Sequence, residues 1–354
     1  MVKRKQEGKT NMRRVITFLL MICMVFTALP ALGESPTRDR GSIQVVNEEI
    51  EGEMDELEEI GLYNEDDAVV FDPIEELQFD EESRPGAFDT LDGMRNILLL
   101  GVDSRSKAIS GRTDSMILLS VDIEGKVIKM TSFLRDTYVE IPGKSNNRLN
   151  SAYVFGGYDL LARTLEKNFG VKPDAYVMVN LRGLTRIIDQ LGGVYVNVDA
   201  KKIDRINAVI YWYNQEVLGL SNPRDGYLTK GGYQKLNGKQ AESWARYRYS
   251  ETDMKRAERQ RELIQIIFEE ICKMDYGDLV SFAMNNMDLV KTNLSLSEII
   301  ALAPAVLALK DAEIRELQIH LNTAYQSKTV SGMAVLVPDR NKNAKALADF
   351  LKAK

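Results

Sequence analysis

Residues 96–105 read Asn96-Ile97-Leu98-Leu99-Leu100-Gly101-Val102-Asp103-Ser104-Arg105, an apolar run that stops abruptly in a charged loop. Such a run, without polar alternation, is what a strand buried on both faces of a sheet requires. Met116–Asp122 and Lys126–Phe133 read as two more strands, joined by a tight turn at Glu124-Gly125. Further strands are expected at Tyr176–Val179, Val194–Val198, Ile314–Leu321 and Ala334–Val337. Helical periodicity marks Tyr158–Asn168, Leu181–Leu191 (closed by Gly192-Gly193), Leu236–Trp244, Met254–Met274, Leu279–Val290, Ser295–Leu309 and Lys342–Leu351. No internal repeat is evident. The pattern predicts one α/β domain over residues 94–354, with a mixed central β-sheet between helical layers.

Charge divides the chain into three parts. The net charge is −6, but residues 41–83 carry 17 carboxylates and no Lys or Arg. The first 40 residues are basic, which leaves the part after Ser83 mildly basic and suited to an anionic ligand. Lys3, Arg4, Lys5, Lys9, Arg13 and Arg14 precede the apolar run Val15–Leu32, the order of an export signal. Residues 1–33 are therefore read as a cleaved signal peptide or a retained membrane anchor. Residues 34–93 are read as an acidic flexible spacer, because self-repulsion and few apolar residues oppose packing there. Either reading of the N-terminus puts the remainder at the outer face of the membrane, where nucleic acid is not an expected partner.

The chain holds little raw material for nucleophilic triads. It has two cysteines, Cys23 and Cys272, neither with metal-ligand spacing, and one histidine, His320, on a strand-like stretch where histidine is ordinarily structural. The chemistry concentrates instead in Asp and Arg at element ends. Asp103 and Arg105 follow a buried strand, and Arg112 and Asp114 precede the next one. Ligands gather at the carboxyl ends of strands in α/β sheets, and Mg²⁺ commonly takes one or two carboxylates together with phosphate oxygens. A pair of loop salt bridges would account for the same residues. Arg135-Asp136 closes the third strand at the same expected edge. The densest cluster is Arg246, Arg248, Asp253, Arg256, Arg259, Gln260 and Arg261. If 246–248 is extended, Arg246 and Arg248 share a face. Arg256 and Gln260 are i,i+4 neighbours on a face that continues into Leu263, Ile264 and Ile267, so they should point inward. Buried guanidinium needs a counter-anion, supplied by a carboxylate or by a ligand.

The ordered segments LLLGVDSR, GRTDS, FLRDTYVEIPG, RLNSAYVFGG, LRGLTRIIDQLGGVYVNV, GGYQKLNGKQA and ARYRYSETDMKRAERQR together resemble the LytR-CpsA-Psr family of envelope glycopolymer transferases. The resemblance is close over residues 94–274 and looser beyond. It implies a phosphotransferase that moves an anionic glycopolymer, of wall teichoic acid or capsule type, from undecaprenyl pyrophosphate to peptidoglycan. Polyprenyl pyrophosphate hydrolysis is an alternative, as is a non-catalytic envelope regulator that binds polyanions or lipid carriers. The family's metal-binding aspartates fall on Asp103 and Asp114, for Mg²⁺ or for Mn²⁺ in its place. Its pyrophosphate-holding residues fall on Arg112, Arg135, Arg246, Arg248, Arg256 and Gln260, with Arg105 a looser correspondence. Asp136 and Asp114 are the candidate bases for the acceptor hydroxyl. The family's lipid tail occupies an apolar groove between sheet and helices.

Three positions depart from the family pattern: Ser132-Phe133-Leu134 where a proline usually precedes the arginine, Thr252 for glycine, and Arg148 for lysine. All leave the charged atoms in place. Residues 201–226 also look long, and Tyr211-Trp212-Tyr213 within them fits either a cap on the lipid groove or ordinary core packing.

Overall fold

The computed structural model describes residues 94–104, 111–248, 253–300 and 303–353. The expected signal or anchor (1–33), the spacer (34–93) and Arg105 lie outside the described residues. Among those described, no helix is long and apolar enough to cross a membrane.

Six strands form the central sheet: β1 (Arg95–Val102), β2 (Thr113–Asp122), β3 (Val127–Phe133), β6 (Ala175–Asn180), β9 (Val290–Thr292) and β10 (Glu313–Ile319). Their spatial order is β10-β3-β2-β1-β6-β9. β1 runs antiparallel to β2 and parallel to β6, β3 is antiparallel to β2, and β10 is parallel to β3. The sheet is thus mixed, as the sequence predicts. Strand alternation sends Ile97, Ile117, Leu119, Ile128 and Met130 to one face, against a helical layer that includes Leu263, Ile267 and Ile271. Leu98, Leu100, Met116, Leu118 and Phe133 face the other way, onto Leu161, Leu165, Phe169 and Leu347. Both faces are buried, which explains the unbroken apolar run in β1.

The second face is covered by α1 (Leu149–Phe169) and α9 (Arg340–Lys352). The first is covered by α2 (Leu181–Gln190), α3 (Ile203–Trp212), α4 (Gly238–Arg246), α5 (Asp253–Ile271) and α6 (Tyr276–Met284), with the hairpin β7 (Val194–Val198) and β8 (Gly232–Leu236). Helix α1 starts nine residues before the expected Tyr158 and kinks at Gly156-Gly157, where Gly157 holds φ +66°. That left-handed conformation costs a residue with a Cβ but not glycine.

Two expectations are corrected. Leu236 ends β8, and the helix that follows begins at Gly238, because Asn237 and Gln240 form a reciprocal cap there. Leu279–Val290 is not one helix: α6 ends at Met284, and Val290 already belongs to the edge strand β9. Asn286 is fully buried there, its Nδ2 donating to Phe282 O at 2.7 Å and closing the helix end. Within the expected helix Ser295–Leu309, helical residues are Leu296–Ile300 (α7) and Ala303–Ala308 (α8), and residues 301–302 between them lie outside the described residues. The long 201–226 segment forms α3 and a π-helical turn, Tyr213–Leu218.

Candidate functional site

Sheet topology gathers the expected site residues at one edge. Because β1 and β3 both run antiparallel to β2, the carboxyl ends of β1 and β3 flank the start of β2. The β1–β2 register pairs Gly101 with Ser115 and Val102 with Thr113, leaving Asp114 as the extra residue of a bulge. Bulges re-aim side chains at strand ends, and Asp114 reaches sideways to β3: its Oδ1 accepts from Arg135 Nη1 at 3.0 Å. Arg135 Nε lies 3.3 Å from Asp136 Oδ2, and Asp136 Oδ1 lies 3.4 Å from Arg148 Nε. Arg148 is anchored in turn, donating through Nε and Nη2 to Ala334 O at 3.1 and 2.8 Å. This chain of charges ties the site edge to the hairpin β11 (Tyr325–Val330) and β12 (Met333–Pro338).

Helix α4 delivers Arg246 from the other side. Its start is packed so tightly on α2 that a Cβ on Gly238 would lie 2.0 Å from Thr185 O, and Gly238 N donates to Asp189 Oδ1 at 2.7 Å. At the opposite end, Arg246 Nη2 sits 3.6 Å from Asp103 Oδ2, and Arg246 Nη1 donates to Glu242 Oε1 at 3.2 Å. The guanidinium also lies over the Trp212 ring, 4.8 Å from its centroid. Burial works to lower the Arg246 pKa, but the carboxylates of Glu242, Asp103 and Asp114 more than offset it and raise the pKa. Asp103 and Asp114 therefore share one field. Burial likewise pushes the Glu242 carboxyl above its ordinary range, with Arg246 opposing.

Beside the Arg135 group lies a small, shallow cleft lined by Asp114, Ser115, Ser132, Arg135, Arg256 and Gln260 among others. Arg256 and Gln260 do face inward at the start of α5, as their i,i+4 spacing predicts. Leu99 and Gly101 on the central strand β1, with Val179 on β6, remain part-exposed although they lie in mid-sheet. Leu184 and Ile264 are part-buried against the same core cluster. These part-exposed apolar side chains lie behind the charged edge.

The remaining expected residues fall as follows. Arg112 is exposed, one residue before β2. Arg248 is half-buried, next to residues 249–252, which lie outside the description. The 246–248 stretch is not extended throughout: Arg246 is the last residue of α4 and Tyr247 its cap. Arg259 and Arg261 are not among the cleft-lining residues. Arg259 lies 3.9 Å from the centroid of the Tyr247 ring and donates to Tyr247 O. Arg261 bonds Glu316 Oε2 at 2.6 Å and Ser132 Oγ at 2.7 Å, tethering α5 to the sheet. His320 is fully buried against Thr137, with Nε2 and Oγ1 2.8 Å apart. Sequence reasoning passed over Glu242, whose signal was its i,i+4 spacing to Arg246. Of the Tyr211-Trp212-Tyr213 trio, Tyr213 is core, bonding Thr185, whereas Trp212 meets Arg246.

For a divalent cation, the donor set fits: two carboxylates at adjacent strand ends, electrostatically coupled to one arginine. No group of three acidic, His or Cys side chains able to hold a metal occurs among the described residues, and Mg²⁺ often needs only one or two protein carboxylates when phosphate and water complete its shell.

The edge of this α/β sheet thus brings two aspartates and several guanidiniums together. The LytR_cpsA_psr family model matches residues 70–350, and the chain belongs to that family. The match begins inside the stretch read as spacer. The Regulatory protein MsrR of Staphylococcus aureus is 31% identical over 265 residues, covering 73% of this chain and 75% of that protein. The Polyisoprenyl-teichoic acid--peptidoglycan teichoic acid transferase TagU of Bacillus cereus is 35% identical over 207 residues, covering 56% and 60%. Among solved structures, TagT bound to LIIa-WTA superposes with a TM-score of 0.58 at 25% identity, covering 76% of this chain and 93% of that one. TagT with bound octaprenyl pyrophosphate lipid superposes with a TM-score of 0.54 at 25% identity, covering 76% and 95%.

Proposed function

We propose that this chain is an extracytoplasmic phosphotransferase that moves an anionic glycopolymer from polyprenyl pyrophosphate to a peptidoglycan hydroxyl. The polymer is of wall teichoic acid or capsule type, and the lipid carrier is undecaprenyl. The observation that carries this reading is the meeting of Asp103, Asp114, Arg135 and Arg246 at one sheet edge, beside the part-exposed apolar Leu99 and Val179. A diphosphate on a long hydrocarbon matches that combination in both charge and greasiness. The names of TagU and of the prenyl-pyrophosphate-bound TagT support it.

In the reaction, the acceptor oxygen bonds to the glycan-side phosphorus while the P–O bond to the bridging oxygen breaks. Polyprenyl phosphate leaves with that electron pair. Arg135 and Arg246, with Arg112, Arg248, Arg256 and Gln260 around them, hold the diphosphate oxygens in charge-assisted bonds. Their charge is in place before negative charge builds on the leaving phosphate, which is how preorganised donors lower a barrier. Asp103 and Asp114 would hold Mg²⁺ or Mn²⁺, which when bound supplies further neutralisation of the diphosphate. Asp114, in the cleft lining, and Asp136, behind Arg135, are the candidates to take the acceptor proton. Water in place of the glycan acceptor would give a pyrophosphatase side reaction.

The test is release of polyprenyl phosphate from a prenyl-pyrophosphate-linked glycan. Arg135→Ala or Arg248→Ala should each lower turnover by about 10²–10³, the usual loss for one such donor, and chelator should stop it. Near-normal turnover in both variants would refute the assignment. The name of MsrR favours a second reading, a regulator that binds the lipid-linked glycan without turning it over. Such a binder would keep its ligand in chelator and never form conjugate.

A further inference from the structure

Two residues grip Arg246 without any place in the chemistry above. Glu242 is 1% exposed, so no substrate atom reaches it, yet its Oε1 accepts from Arg246 Nη1 at 3.2 Å. Its other oxygen accepts no hydrogen bond, which makes Arg246 its principal compensation for a costly burial. Trp212 is the last residue of α3, and its ring lies 4.8 Å from the same guanidinium. The two contacts constrain different freedoms. An aromatic face attracts a cation over the ring plane, while a carboxylate at Nη1 opposes rotation of the guanidinium. With both satisfied, the remaining Nη2 points toward Asp103 Oδ2, 3.6 Å away.

We infer that Trp212 and Glu242 are positioning residues that clamp the Arg246 guanidinium with its Nη2 edge toward Asp103 and the diphosphate site. Preorganisation explains why such a clamp matters: a donor that must first find its orientation stabilises a transition state less than one already aimed. A flexible arginine side chain pinned by a ring and an acid no longer has to search. Trp212 comes from the long 201–226 segment, so that segment reaches the active edge rather than only packing the core. Its neighbour Tyr213 is buried with Val217 and Leu181, and Trp212 packs part-buried against that same cluster.

This inference rests on the proposed role of Arg246, and the experiment separates the two. Full-length Trp212→Phe, Trp212→Leu, Glu242→Gln and Arg246→Ala are assayed with the prenyl-pyrophosphate-linked glycan donor, and the thermal midpoint of each is measured. Trp212→Leu and Glu242→Gln should lower kcat about tenfold with KM nearly unchanged, and Trp212→Phe should restore most of the loss. Trp212→Leu added to Arg246→Ala should cost nothing further. Where a variant fails to fold, a Trp244→Phe protein leaves Trp212 as the single tryptophan of the two present. Its emission should then shift when inorganic pyrophosphate and Mg²⁺ are added, and Arg246→Ala should abolish the shift. Full kcat in Trp212→Leu and Glu242→Gln beside a crippled Arg246→Ala overturns the clamp and spares the transferase reading. Equal kcat in the Phe and Leu variants, or an unresponsive Trp212, also overturns the clamp. An active Arg246→Ala overturns the role of Arg246 and the clamp together.

Discussion

Arginines in this chain divide by what their guanidiniums meet. Arg259 and Arg261 are almost completely buried and end on Tyr247, Ser132 and Glu316, so they tie helix to sheet. Arg135 and Arg246 are only half-buried, and each meets a strand-end aspartate. Sequence spacing could separate Arg256 and Gln260 from the solvent, because they continue an apolar helix face. It could not separate Arg259 from the site, since that distinction depends on where Tyr247 packs. His320 shows the same economy of reading: a lone histidine on a strand is structural, and here burial pushes its pKa down to about 3 from an ordinary 6.5. The folded protein therefore holds it neutral while the unfolded chain takes up a proton below pH 6.5. The stability this contributes is complete above pH 6.5 and is lost as pH falls from 6.5 toward 3, at about 1.4 kcal/mol per pH unit. Urea midpoints of wild type and His320→Gln across pH 7 to 4 should show the steeper loss in wild type. Parallel slopes would contradict this account of His320.

Elements differ in how openly they announce themselves. β1 was legible because burial on both faces leaves Ile97–Leu100 without a polar residue, and β2 and β3 because their apolar runs are broken only by isolated polar residues such as Ser120 and Lys129. β8 was not, since Gly232, Tyr233 and Lys235 are all exposed and dilute the apolar signal to Leu236 alone. β9 is three residues long at a sheet edge, too short for any periodicity. Helix α4 was seen but placed two residues early, because Leu236 and Ala241 fit one apolar stripe as well as a strand end followed by a helix. Its placement matters, since α4 is the rod that carries Arg246 to the site edge. The close approach at Gly238 fixes the near end of that rod. Gly238→Ala should force α4 off α2, lowering stability by about 1–3 kcal/mol, as overpacking does, and moving Arg246 enough to lose most turnover. Unchanged melting with full activity would show that the contact with Thr185 O is slack.

Over the whole molecule, the architecture explains why residues so distant in sequence meet. Antiparallel pairing on both sides of β2 brings Asp103, Asp114 and Arg135 together before any helix is added. That convergence was readable from strand order. The second half, Arg246 with Glu242 and Trp212, depends on how two helices cross on one face, which no local pattern encodes. The groove was implied by family resemblance, and the part-exposed Leu99 and Val179 are the side chains that would line it. All of the functional reading depends on a diphosphate head sitting at the charged edge with its hydrocarbon tail along that groove. The most direct test is a crystal structure of the chain with a short prenyl pyrophosphate and Mg²⁺. The account predicts phosphate density within bonding distance of Arg135 and Arg246, a cation on Asp103 and Asp114, and the tail against Leu99 and Val179. A diphosphate bound elsewhere, with this edge closed by its own salt bridges, would contradict it.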